Sequence, residues 1–159
     1  MDTVEEPSGR FTWSGLPINR AERAWLLDRL TAAAAWLGAE VEAVAVRGVD
    51  DAEMARLHEQ FSGVAGTTDV LTFDHHTDDD DDAAAPARLS GDIAVCVDVA
   101  ERSASARGHA PREELLLYAV HGLLHLLGEN DTTPEAYERM HAREDAVLEA
   151  IGVGAVFRG

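Results

Sequence analysis

Apolar residues recur along this chain with two periods, and the switches between them predict the elements. FTWSG at 11–15 reads as a short edge strand. Asn19 is a good N-cap. The stretch RAERAWLLDRLTAAAAWLG that follows spaces Ala24, Leu27, Leu30, Ala34 and Leu37 as a helix would, and Gly38 ends it. EVEAVAV at 40–46 alternates polar and apolar positions, the period of a strand. Asp50 or Asp51 can cap a helix running to Phe61, with Met54, Leu57 and Phe61 on one face. The glycines of SGVAG predict a loop, and 69–73 a further strand. LSGDIAVCV alternates again at Ile93, Val95 and Val97, and Asp98 can cap a helix reaching about Arg107.

The last third is different in kind. Pro111 suits a first helical turn, and Glu113 and Glu114 suit its positive end. REELLLYAVHGLLHLL is then continuously helical in pattern. Gly128 stops it. Thr132, Thr133, Pro134 and Glu135 carry start signals for a last helix, from about Pro134 to Ala150. Strands and helices in mixed order predict an α/β (α+β) domain, with a small mixed sheet of about four strands packed against helices.

Composition narrows the class. The chain has 159 residues, which fits one domain over 11–159 after a loose acidic tail over 1–10. TDDDDDAAAPAR at 77–88 predicts a mobile acidic loop, because its adjacent carboxylates repel one another and it lacks the EF-hand spacing. Cys96 is the single cysteine, so no internal disulfide or thiolate zinc cluster can form, and a buried inert thiol is expected. No apolar run is long enough to span a membrane, and MDTVEEPSGRF does not resemble a signal peptide; the expectation is a cytoplasmic protein. Thirteen basic residues, all arginine, stand against thirty acidic ones, a net charge of −17. That balance favours solubility and counts against non-specific binding of DNA.

The segment that carries chemistry is HGLLHLLGEND, from His121 to Asp131. Histidines four apart on a helix lie about 40° from one another around the axis and about 6 Å along it, so both rings can grip one divalent ion. A glycine can turn the chain back at Gly128, and Asp131 is then placed to add a third ligand. Three protein ligands with an open position are the catalytic zinc pattern, in which the ion makes water available as a nucleophile near neutral pH. The alternative is a pair of structural core histidines, which would need hydrogen-bond partners in so apolar a helix. Gly122 stands where zinc peptidases carry their glutamate base, which argues against a peptidase. Mid-helix it implies close approach, either of substrate or backbone or by simple packing.

These residues resemble the YbeY family of bacterial metal-dependent endoribonucleases. HGLLHLLG follows the family pattern H-G-x-L-H-L-x-G, TTDVLTF at 67–73 resembles its T-D-V-L-S-F strand, LSGDIAV at 89–95 its L-G-D-I strand, and Met140 and Glu144 its M-x-x-x-E helix. The matches run in order over about 40–151. The resemblance implies a single-strand-specific endoribonuclease acting in ribosomal RNA maturation and quality control, with RNA and the small ribosomal subunit as partners and one Zn2+ per chain. His121, His125 and Asp131 are the implied metal ligands and catalytic centre, and Ser62, Thr68 and Asp69 the implied substrate groove.

Departures from the pattern bear on activity. Asp131 stands at the third histidine, where a carboxylate remains a legitimate zinc ligand but adds negative charge. Ser62 stands at the family's loop arginine, which Arg56 or Arg88 would have to replace, and Glu129 and Asn130 fill the positions before Asp131 that the family gives to Tyr-Asp. Two further readings therefore stay open: a catalytically degenerate ribosome assembly factor, and a metal-dependent hydrolase of a small substrate. Among the other histidines, His75 and His76 read as exposed loop residues, His141 as a surface residue and reserve ligand, His109 as a loop or cap residue, and His58 stands at a family asparagine.

Overall fold

The computed structural model describes residues 10–16, 19–75 and 87–154. Most of the acidic tail and of the acidic loop, and His76, lie outside the described residues. The chain runs β1 (Phe11–Gly15), α1 (Arg20–Trp36), β2 (Glu40–Val49), α2 (Asp51–Ser62), β3 (Val70–Asp74), β4 (Arg88–Cys96), α3 (Val97–Arg107), α4 (Pro111–Leu126) and α5 (Pro134–Ala150).

The four strands form one mixed sheet in the order β1-β2-β4-β3. β1, β2 and β4 are parallel, and β3 returns antiparallel along β4 with Leu71 opposite Ala94 and Phe73 opposite Asp92. The parallel pairs follow from helical connections, since a parallel neighbour needs a long crossover. β1 is the edge strand expected of FTWSG, with Phe11 and Trp13 turned into the core.

Caps explain several boundaries. The Asn19 side chain accepts the Glu22 N–H, Asp50 that of Glu53, and Thr133 that of Ala136, each replacing a helical bond the first turn lacks. Asp98 does not cap α3. Cys96 holds that position, and the Asp98 carboxylate instead accepts the Asp51 N–H at 2.9 Å, tying α3 to α2. The single-face pattern of α2 also fails at its end. Met54 and Leu57 are buried, whereas Phe61 is exposed and meets Phe73 edge-on at 5.0 Å.

α4 is the central post. Eleven of its sixteen residues are buried, because it packs against the sheet and lies among α1, α3 and α5. Gly122 lets it come close. A Cβ there would stand 2.7 Å from Cδ1 and 3.0 Å from Cγ1 of Ile93 on β4. The close approach is therefore packing against the sheet rather than against substrate. Among the described residues no helix is long and apolar enough to cross a membrane.

Candidate functional site

The two histidines share one stripe of α4 near its C-terminus, and Gly128 decides what joins them. Its φ of +93° is a left-handed turn that glycine adopts without strain. The chain folds back there, so the Glu129 N–H donates to the Leu124 carbonyl at 3.0 Å while the Glu129 carbonyl faces the His125 ring. Asn130 continues the turn by accepting both the N–H and the hydroxyl of Thr132. Arg143 of α5 pairs with Glu129 at 3.2 Å and fixes the loop from outside. Asp131 is thereby returned over the helix it has just left.

Nε2 of His121 and Nε2 of His125 lie 3.0 Å apart, and Oδ2 of Asp131 lies 3.6 Å from the first and 3.9 Å from the second. A tetrahedral ion with bonds of about 2.0–2.2 Å holds its ligand atoms roughly 3.3–3.6 Å apart. The three donors fit such an ion with shifts of a few tenths of an ångström.

The far sides of the rings fit it as well. Nδ1 of His125 is 3.0 Å from the Glu129 carbonyl, which can only accept, so this nitrogen carries the proton and Nε2 is left to face Asp131. Nδ1 of His121 is hydrogen-bonded to the Glu144 carboxylate of α5. A carboxylate or carbonyl behind each imidazole is the arrangement that orients metal-ligating histidines.

Glu144 is the residue sequence reasoning placed only as part of a pattern. It is 1% exposed, and its second oxygen binds Nδ1 of His141 at 2.7 Å, so one buried carboxylate braces two rings. His141 is correspondingly not a surface residue. Its side chain is 12% exposed, stacks on His121 at 6.1 Å and meets Tyr137 at 4.2 Å. Tyr137, His141 and Glu144 recur at helical spacing on α5, and that shared face was the available signal. Burial lowers the His121 pKa, but the Glu144 hydrogen bond and charge outweigh it, and the balance lies above 6.5.

His121 and Asp131 of the cluster line a cleft of about 600 Å³, and His125 lines a smaller neighbouring one beside β3. Thr68 and Asp69 line the larger cleft, together with Tyr118, Ser103 and Arg107. Ser62 ends α2, is exposed, and is not among the lining residues. Neither arginine named as its replacement reaches the cleft. Arg56 pairs with Glu53 at 2.7 Å on α2, and Arg88 lies at the start of β4 beside Arg10, Glu40 and Glu42. Burial pushes the Tyr118 hydroxyl up to about 12, so it stays protonated at neutral pH.

The other described histidines lie outside the cluster. His58 Nδ1 bonds to the Gly66 carbonyl at 2.9 Å, and His75 is half exposed and pairs with Asp92 at 3.0 Å. His109 follows α3 with a buried Nε2 that has no hydrogen-bond partner among the described residues. Cys96 is buried as expected, and burial raises its thiol pKa.

The family model for endoribonuclease YbeY matches residues 18–152. The chain belongs to the YbeY family. An endoribonuclease YbeY of Chloroflexus aggregans is 41% identical over 113 residues, 69% of this chain and 74% of its own length. That of Gloeobacter violaceus is 36% identical over 151 residues, 94% of this chain and 72% of its own length. The solution structure of TM1509 from Thermotoga maritima superposes with a TM-score of 0.57 at 26% identity, covering 88% of this chain and 90% of the other. The YbeY match spans α1 to α5 and contains every residue of the donor cluster.

Proposed function

We propose that this YbeY-family chain is a zinc-dependent endoribonuclease that cuts single-stranded RNA during ribosomal RNA maturation and ribosome quality control. His121, His125 and Asp131 hold the ion, one per chain. The small ribosomal subunit as partner and a cytoplasmic site of action follow from the same kinship. The observation that carries the reading is the convergence of two Nε2 atoms and one carboxylate oxygen, all within 4.8 Å of one another, with His121 and Asp131 lining a cleft.

A bound zinc ion supplies Lewis acidity towards a phosphate oxygen and lowers the pKa of water to about 7. The chain's own residues supply the rest. Glu144 and the Glu129 carbonyl hold the two rings so that little reorganisation is needed when the donors are used. Asp131 places a charged oxygen where a third imidazole would be neutral, which moves the set towards harder ions. Thr68 and the protonated Tyr118 hydroxyl offer donors along the cleft wall, and Asp69 bounds it.

Elemental analysis together with cleavage of structured ribosomal RNA fragments tests this. About one zinc per chain and cleavage lost in His121→Ala are expected. Metal content below about 0.1 per chain under metal-replete conditions removes the reading. Metal without cleavage points to a weakened site, as in an assembly factor that has lost catalysis, if Asp131→His with Ser62→Arg restores activity, and to a different substrate if it does not.

A further inference from the structure

RNA brings a row of negative charges into a cleft already lined by Asp69, Asp131 and Glu144. Something on the wall has to balance them, and the chain has no lysine. Among the described residues lining the cleft, Arg107 is the one arginine. It is the last residue of α3, one turn beyond Ser103, which also lines the cleft.

Beneath it lies Glu114. This side chain is 0% exposed, and neither of its carboxylate oxygens has a hydrogen bond among the described residues. A buried carboxylate left so is costly unless an opposite charge stands close. Nη1 of Arg107 lies 3.6 Å from its Oε1, and the Arg107 side chain is still 38% exposed. The ion pair therefore restrains a guanidinium at the cleft wall without burying it. A restrained fork loses less conformational freedom on binding a phosphate than a free surface arginine does.

We propose that Arg107 is the RNA-gripping cation of this cleft, that it contacts a backbone phosphate flanking the reacting one, and that Glu114 positions it. The inference rests on the cleft being an RNA-cleaving site. The flanking assignment comes from helix geometry. Glu114 precedes His121 by seven residues of α4, which is two turns and about 10 Å along the axis. A guanidinium tethered at Glu114 stands beside the donor cluster, not over it. Its contribution is then made equally in the ground state and the transition state, and belongs to binding.

The test uses zinc-loaded protein, a short 2′-O-methylated, phosphorothioate single-stranded RNA for binding, and an unmodified RNA for turnover. Arg107→Met is expected to raise Kd about tenfold, the size of one charged hydrogen-bonded contact. It should also lower the slope of log Kd against log salt by about 0.7 relative to wild type, the signature of one lost phosphate on a single strand. The turnover loss should be carried by KM. Glu114→Gln should raise Kd by a smaller factor, with Arg107→Lys between wild type and Arg107→Met because it keeps the charge and loses the fork. If Arg107→Met destabilises the fold by stranding Glu114, the double variant Arg107→Met/Glu114→Gln removes both charges and is read instead. An unchanged Kd and salt slope in a folded variant overturn the assignment while leaving the nuclease reading intact. A loss confined to kcat overturns the flanking position. Wild-type protein that neither binds nor cuts RNA overturns the inference and the nuclease reading together.

Discussion

At the scale of single residues, the centre depends on which nitrogen of each ring holds a proton. The Glu129 carbonyl fixes the His125 tautomer, and Glu144 favours a charged His121, so a proton lies between the two Nε2 atoms when no ion does. An ion has to displace that proton, because a metal ligand must be unprotonated. The folded-state pKa of His121 is raised, so protonation persists above pH 6.5. Metal affinity should therefore fall on acidification beginning above that pH. Isothermal titration in two buffers of different ionisation heat should show more proton release per ion at pH 6.5 than at pH 8.5. A pH-independent affinity, with no proton released, would contradict this description of the centre. His121, His125 and Asp131 were legible in the sequence because a four-residue helical spacing and one glycine turn are local geometry. Glu144 and His141 were not, because they reach the site from another helix.

At the scale of elements, α4 is held where it is by what it lacks at Gly122. Alanine there gains helix propensity of about 1 kcal/mol but drives a methyl into the fully packed Ile93. We expect Gly122→Ala to lose about 1–2 kcal/mol net in urea unfolding, and Gly122→Ala/Ile93→Val to recover part of it. Stability gained by the single variant would show that the contact relaxes freely. The N-terminal half of the same helix carries the opposite kind of compromise at Glu114. Burial raises its pKa, against the partial relief from Arg107. A raised carboxylate value means that the charged form opposes folding, and that the penalty sets in as pH rises above the ordinary 4.5. Glu114→Gln should therefore melt about 2–4 °C above wild type at pH 7 and close to it at pH 4. Equal melting points at both values would mean that Arg107 fully compensates the charge. The helices and strands themselves were readable from period and caps, down to the Pro134–Ala150 bounds of α5. Phe61 and Asp98 were misjudged because their surroundings come from β3 and α2, which no local pattern specifies.

At the scale of the whole molecule, a chain of net charge −17 meets a polyanion. Long-range repulsion opposes encounter at low ionic strength, where the Debye length is about 30 Å, and is largely screened at 0.1 M, where it is about 10 Å. Cleavage at low substrate concentration should accordingly rise, or hold level, between about 10 and 100 mM monovalent salt, whereas a basic nuclease would slow. A steep fall over that range would mean that local contacts of the Arg107 kind outweigh the global field.

The amino-acid sequence alone determined the periods, most of the caps, the glycine stop and the motifs of the family, because each depends on residues within a few turns of one another. It also pointed to the three residues of the His-His-Asp cluster, since they sit within eleven residues. Only the tertiary structure decided that Glu144 braces His121 from α5, that Gly122 serves packing on Ile93, and that the arginine at the cleft is Arg107. Those contacts join positions brought together by sheet order and helix packing, and a side chain's partners across such distances are set by how the layers close.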